Sequence, residues 1–209
     1  MKRGTLISST IILFFALASC TRDPLNNLTQ DESRIYITNH DSNADFSSFQ
    51  TFSVADSVAV IENGQLLGYD LTPYDAALIN ALKNKMVAQG YTLVTKSNDP
   101  DLGITVSSIT NTSTGIISYN DYTGDYYGYW DPYYWGYPGS SYYFPTYYGV
   151  YNISEGALSV DMFDLKDAST NNQIKNVWTA LIRGSGIFNS SNIDKHVETL
   201  FAQSTYLKK

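Results

Sequence analysis

Apolar and polar positions recur with two different periods along this chain, and the switches between them mark out the expected elements. Ile35-Tyr36-Ile37 and Thr51-Phe52-Ser53-Val54 combine β-branched and aromatic residues on either side of the polar, turn-forming stretch Asn39 to Asn43, which predicts two strands. Ser57 to Asp70 is expected to be a loop, with room for a short strand at Val58 to Ile61. From Thr72 the period changes. Leu78, Leu82 and Met86, with Ile79 and Ala81 alongside, recur at three- and four-residue spacing and predict an amphipathic helix lying on a sheet. Thr72 is its cap, Pro73 suits its first position, Asp75 falls in its first turn and Gly90 closes it.

Strand character returns at Tyr91 to Val94 and at Leu102 to Ile109, separated by the turn signal Asn98-Asp99-Pro100. Leu158, Val160 and Met162 alternate with Ser159 and Asp161, which predicts a half-buried strand, and Val177 to Ile182 predicts another beyond the turn cluster Asp167 to Asn172. A last helix is expected from about Ser190 to Gln203, with Ile193, Val197, Leu200 and Phe201 on one face. Few helices and adjacent strands predict an α+β fold: a mostly antiparallel sheet with two helices packed on one face and a long Tyr/Gly-rich insertion.

That insertion spans residues 111–152 of a single domain expected over 35–207. Between Tyr119 and Tyr151 lie 13 of the 18 tyrosines, with Trp130 and Trp135 among glycines and prolines that break both periods. An irregular loop or loose hairpin is expected there. Three roles compete for it. Tyr126, Tyr127, Tyr129, Trp130, Tyr133, Tyr134, Trp135 and Tyr137 could form a protein-contact surface, since rigid aromatic rings with polar handles are enriched at interfaces. The same rings could stack on sugars of peptidoglycan or polysaccharide. Otherwise the segment is low-complexity chain folded over the outer face of the sheet or left disordered.

The N-terminus changes the picture most. Met1-Lys2-Arg3 precedes an apolar stretch from Leu6 to Ala18, and Leu17-Ala18-Ser19-Cys20 reads as a lipobox closing on the only cysteine. The uninterrupted apolar part, Ile11 to Ala18, is far shorter than the roughly 20 residues that span a bilayer. Residues 1–19 are therefore expected to be a lipoprotein signal peptide, with Cys20 the lipidated first residue of the mature chain and 20–34 a flexible tether. Each buried methylene adds about 0.8 kcal/mol, so two or three acyl chains on Cys20 would hold the protein on a membrane. Thr21 stands where an Asp would signal inner-membrane retention in enteric bacteria, which favours the outer membrane.

Charge removes a further class of partner. The net charge of −7 becomes −9 once Lys2 and Arg3 are cleaved away, and no Lys or Arg occurs between Lys96 and Lys166. A nucleic-acid backbone would be repelled. With Cys20 acylated, no thiol remains for a disulfide, a metal or nucleophilic catalysis.

Catalytic constellations are sparse. His40 and His196 are the only histidines and are expected to be solvated. Asp194 and His196, two apart on a helix, do not face each other, and no Gly-x-Ser-x-Gly elbow completes a hydrolase triad. Gly184-Ser185-Gly186 lacks the third glycine of a dinucleotide loop, Asn189 standing in its place, and is expected to be a tight turn. Alternation places Asp161 and Asp164 on opposite strand faces, which disfavours a calcium cage with Asp167. No cofactor, metal or catalytic residue is assigned, although a carboxylate pair for glycan hydrolysis remains an alternative.

Three ordered stretches carry a resemblance. Asp45-Phe46-Ser47-Ser48-Phe49-Gln50-Thr51-Phe52, then Ala88-Gln89-Gly90-Tyr91 with Asp99-Pro100-Asp101-Leu102, then Glu155 to Asp164 with Val177-Trp178-Thr179-Ala180 are similar to the bacterial envelope lipoproteins grouped as domain of unknown function 4136. The resemblance covers roughly Ile35 to Phe201. It implies a lipidated, extracytoplasmic α+β domain and brings no catalytic residues. The expected role is a non-catalytic binding or assembly accessory of the envelope.

Overall fold

In the computed structural model, which describes residues 28–29, 31–63, 65–110, 117–118, 130–144, 150–151 and 156–209, the strand pattern builds one sheet flanked on both faces. Its strands are β1 (Ile35–His40), β2 (Thr51–Glu62), β3 (Gln65–Asp70), β4 (Thr92–Leu93), β5 (Leu102–Thr110), β7 (Ser141–Tyr143), β9 (Ala157–Asp164) and β10 (Gln173–Arg183). A separate two-stranded ladder pairs β6 (Ile117–Ser118) with β8 (Val150–Tyr151). The helices are α1 (Pro73–Ala88), the single turn α2 (Ala168–Asn171) and α3 (Ile193–Ala202).

The order across the main sheet is β1-β10-β9-β5-β2-β3. The expected α+β class holds, but the sheet is mixed and a third, short helix is present. Four neighbouring pairs are antiparallel, whereas β2 and β5 run parallel, as do β2 with β4 and β10 with β7. The parallel pair has a topological cause. Between β2 and β5 the chain makes the β3 hairpin and then crosses over through α1, and a helical crossover brings the next strand in alongside in the same direction.

The largest departure from the sequence pattern falls at 57–70. Strands stand in place of the expected loop: β2 continues to Glu62, and β3 returns along it after a left-handed residue at Asn63 (φ 49°). Asp56 and Ser57 break the apolar run because β2 changes register between Val54 and Val58 where it pairs with β5.

Helix α1 forms where its signals place it. The Thr72 hydroxyl accepts from the Asp75 amide, and the Asp75 carboxylate accepts from the Thr72 amide at 2.9 Å, a reciprocal capping box. Leu78, Ile79, Leu82 and Met86 are buried against one face of the sheet beside Ile193, Val197, Leu200 and Phe201 of α3. The sheet contributes Phe52, Ile104, Val106, Val160, Met162, Trp178 and Ile182 to this main core. A second apolar cluster covers the opposite face, with Trp130, Trp135 and Tyr142 packed on Ala59, Phe163, Leu165 and Leu181. Ser159 and Asp161 are therefore buried, and β9 is enclosed on both faces, not half-buried as its alternation predicts.

Candidate functional site

The second face is a polar stripe under an aromatic cover. Asp131 caps a 3₁₀ turn over Pro132–Trp135 by accepting from the Tyr133 amide at 2.8 Å, and Gly136 ends it in the left-handed region. The turn carries Tyr134 and Trp135 inward and leaves Tyr133 outside. Trp130 and Trp135 are 1% and 5% exposed, and the ring of Tyr134 meets both edge-on at 5.2 and 4.9 Å. Gly103 of β5 makes this possible, because a Cβ there would lie 3.0 Å from the Trp135 ring. The two tryptophans are thus core residues, which corrects their assignment to an open binding surface. Tyr133 is exposed, and Tyr134 and Tyr137 are half-buried. Cys20, Tyr126, Tyr127 and Tyr129 lie outside the described residues.

Beneath the cover, Asp161 is buried and accepts from Thr179 Oγ1 at 2.7 Å, Ser159 Oγ at 2.9 Å and Asn176 Nδ2 at 3.2 Å. Burial pushes its carboxyl up to about 6, against the lowering effect of those three donors. No cation pairs with it among the described residues. Asp164 lies at the strand end, its Oδ1 accepting from the Lys166 amide, so Asp161, Asp164 and Asp167 do not converge.

The two histidines have different fates. His40 is exposed and stacks on Tyr206 at 3.9 Å between centroids. His196 is fully buried, which corrects the expectation of a solvated ring. The Ile187 carbonyl can only accept, so Nε2–H donates to it at 3.1 Å and Nδ1 accepts from the Tyr36 hydroxyl at 2.8 Å. Desolvation, with Arg34 and Lys195 nearby, holds this imidazole below its ordinary value and therefore neutral at neutral pH. Tyr74 donates to the same carbonyl at 2.7 Å. Together they pin the Gly184-Ser185-Gly186 loop to both long helices, a structural use of the turn.

An open cleft of about 620 Å³ cuts into the sheet edge. On the outer side of β2, β4 pairs only with Thr51 and Phe52 while β3 pairs with Val58 to Glu62. Residues 53–57 of β2 consequently have no strand on that side among the described residues. Ser53 and Asp56 line the gap, Lys83 of α1 reaches it from the helical face, and Thr95, Lys96 and Asn98 close one end. The Tyr134 hydroxyl sits in the gap, accepting from the Asp56 amide and donating to Asp56 Oδ1, each at 3.1 Å. Lys96 Nζ stands 4.0 Å above the Tyr134 ring. Burial raises the Tyr134 phenol to about 12, so it remains a neutral donor.

Of the predicted aromatic residues, the cleft therefore uses Tyr134. Sequence reasoning missed Lys83, Lys96 and Asp56. Lys96 did carry a signal, being the last cation before a long stretch without any. No group of three His, Cys, Asp or Glu residues that could hold a metal occurs among the described residues, and none of their helices is long and apolar enough to cross a membrane.

Comparison with known proteins gives a family and a fold. The family model for a domain of unknown function, DUF4136, matches residues 37–204. The crystal structure of a DUF4136 family protein from Bacteroides thetaiotaomicron is similar at 30% identity and a TM-score of 0.70, covering 85% of this chain and 99% of that one. A PelC dodecamer from Paraburkholderia phytofirmans is similar at 9% identity and a TM-score of 0.40 over 84% of this chain and 98% of its own. A PDZ domain protein from Parabacteroides distasonis gives 12% identity and a TM-score of 0.43 over 85% of this chain and 37% of its own. Among curated proteins none matches.

Proposed function

We propose, from the premise that this chain belongs to the DUF4136 family, that it is a lipid-anchored protein of the cell envelope whose domain is a non-catalytic binding or assembly accessory. The observation that carries the anchor is the apolar run closing on Leu17-Ala18-Ser19-Cys20. Acyl chains on Cys20 would hold the protein at the outer membrane, and residues 20–30 would space the domain from the surface. The tether expected over 20–34 ends earlier, because Asp31 pairs with Lys195 of α3 at 2.7 Å and Arg34 is buried with its Nε donating to the Ser185 carbonyl at 3.1 Å. No cofactor enters this role.

The site chemistry favours binding over catalysis. Among the described residues Asp56 is the only carboxylate lining the cleft, and it is already bonded to Tyr134. A carboxylate pair for glycan hydrolysis would need a second acid across the cleft. Contact with an envelope protein is preferred to sugar stacking because Trp130 and Trp135, the broadest stacking faces expected, are buried. Tyr133, at 72% exposure beside the cleft residue Tyr134, offers a free ring for such contact.

Two measurements test this. Metabolic labelling with palmitate should mark the native chain in the membrane fraction and not Cys20→Ala; equal labelling of both refutes the anchor. Crosslinking in intact envelopes should lose partners on Tyr133→Ala, and an unchanged partner set removes this ring from the contact.

A further inference from the structure

We infer that the cleft in the β2 edge binds an extended peptide carrying two adjacent acidic residues. This deepens the protein-contact role by naming the partner's chemistry, but it stands on the cleft geometry and does not need the lipid anchor.

Three observations converge on that ligand. The first is the open edge itself. Residues 53–57 of β2 lie between the end of β4 and the start of the β3 pairing with no strand beside them among the described residues. Ser53, Val54 and Ala55 are buried while Asp56 is exposed and Ser57 half-buried, and an unpaired strand edge recruits an extended chain through backbone hydrogen bonds. The cleft volume of about 620 Å³ falls within the ordinary range of ligand sites, about 300 to 1,000 Å³.

The second is the occupant of the gap. The Asp56 amide is satisfied by a side chain, the Tyr134 hydroxyl, at 3.1 Å. A phenol oxygen on a half-buried ring is a replaceable acceptor. A peptide carbonyl offers the same amide an equivalent bond, and the phenol would then keep or exchange its contact with the Asp56 carboxylate.

The third is charge and its placement. The chain carries 20 acidic and 13 basic residues, yet among the described residues this cleft is lined by Lys83 and Lys96 against Asp56 alone. The two cations belong to opposite sides of the sheet edge. Lys83 comes from α1, which covers the main core, and Lys96 lies over Tyr134, which belongs to the aromatic cover. Successive side chains of an extended peptide point to opposite faces. One acidic residue would therefore meet Lys83 while its immediate neighbour meets Lys96, and acids two apart would leave one lysine unmatched.

The test uses the full chain in detergent and a fluorescein-labelled hexapeptide, Thr-Val-Glu-Glu-Val-Thr, followed by anisotropy. Saturable binding is expected, weakened about fivefold by Lys83→Ala or by Lys96→Ala, as for loss of about 1 kcal/mol of charge pairing. Tyr134→Phe should strengthen binding, since no hydroxyl then competes for the Asp56 amide; a purely structural tyrosine would not give that gain. The far-ultraviolet circular dichroism of each variant checks the fold.

Equal binding of a Thr-Val-Lys-Lys-Val-Thr peptide overturns the inference, as does no binding of the acidic peptide at millimolar concentration. Equal competition by polygalacturonate would assign the cleft to anionic glycans and overturn the peptide. The outcome separates from the broader role: a failed titration with crosslinked partners retained sinks only the acidic peptide. Peptide binding with an unchanged partner set after Tyr133→Ala sinks only the contact assigned to that ring.

Discussion

Replacing Asp161 with Asn should make the protein more stable at neutral pH and remove a pH dependence that runs opposite to ordinary acid denaturation. In the folded chain the carboxyl is buried and titrates at about 6, against an ordinary value of 3.8. The native state therefore binds a proton that the unfolded state has released across this window, and stability from this group falls as pH rises from about 4 to about 6. At 1.36 kcal/mol for each pH unit, the difference is worth about 3 kcal/mol.

Asn keeps the acceptor that receives Thr179 Oγ1 and Asn176 Nδ2, while its amide can donate to Ser159 Oγ, whose hydroxyl rotates to accept. Urea unfolding of both proteins between pH 4 and 7.5 checks this. Asp161→Asn should gain about 1 to 3 kcal/mol at pH 7 and lose most of the advantage near pH 4. Asp31, Asp41 and Asp45 are held below their ordinary value and oppose this trend, but they are common to both proteins and cancel in the difference. A stability difference that stays constant with pH would refute the buried, ionised carboxylate.

Gly103→Ala should cost about 1 to 3 kcal/mol in urea unfolding, since its Cβ would press 2.8 Å from Leu165 Cδ1 and 3.0 Å from the Trp135 ring. An unchanged midpoint would mean the cover is not seated on β5. His196 should titrate below 6.5 by nitrogen-shift NMR and show the Nε2–H tautomer at pH 7. Because its folded value is depressed, its contribution is present above 6.5 and lost as pH falls through that window, and a midpoint above 6.5 would contradict the buried geometry. Thr72→Ala should cost about 1 kcal/mol by breaking the capping box of α1, with thermal unfolding as the measure.

The face under the helices was legible because its signals are local and redundant. Leu78, Leu82 and Met86 share a period, Thr72 and Asp75 cap it, and β2, β5, β9 and β10 each supply one apolar side to meet it. Parallel pairing of β2 with β5 was not legible, since it depends on where the β3 hairpin and α1 send the chain, and no residue in either strand records its partner's direction. The β3 hairpin hid for a related reason. Asp56 and Ser57 look like turn residues, but they mark the register change and open edge within a strand that continues to Glu62.

The second face was misjudged through a sound rule met by an unusual answer. Ser159, Asp161, Thr105, Ser107 and Thr179 alternate with apolar neighbours, which ordinarily marks a solvated side of a sheet, yet all five are buried. Such a face is covered at least cost where its polar groups bond among themselves. Asp161 achieves this by gathering three donors from β9 and β10, whereas the Ser107 hydroxyl is buried without a side-chain or backbone partner among the described residues. The cover must then be apolar on its inner side with polar atoms at its rim, which is the chemistry of Tyr and Trp. Trp130, Trp135 and Tyr142 provide the inner side, and Tyr137 bonds the Leu165 carbonyl at the rim. Tyr134 does both at once, its ring packed on two tryptophans and its hydroxyl in the β2 gap. A ligand that displaces that hydroxyl must therefore disturb the packing of the cover. The intrinsic fluorescence of Trp130 and Trp135 should shift on binding in the native chain and shift less in Tyr134→Phe.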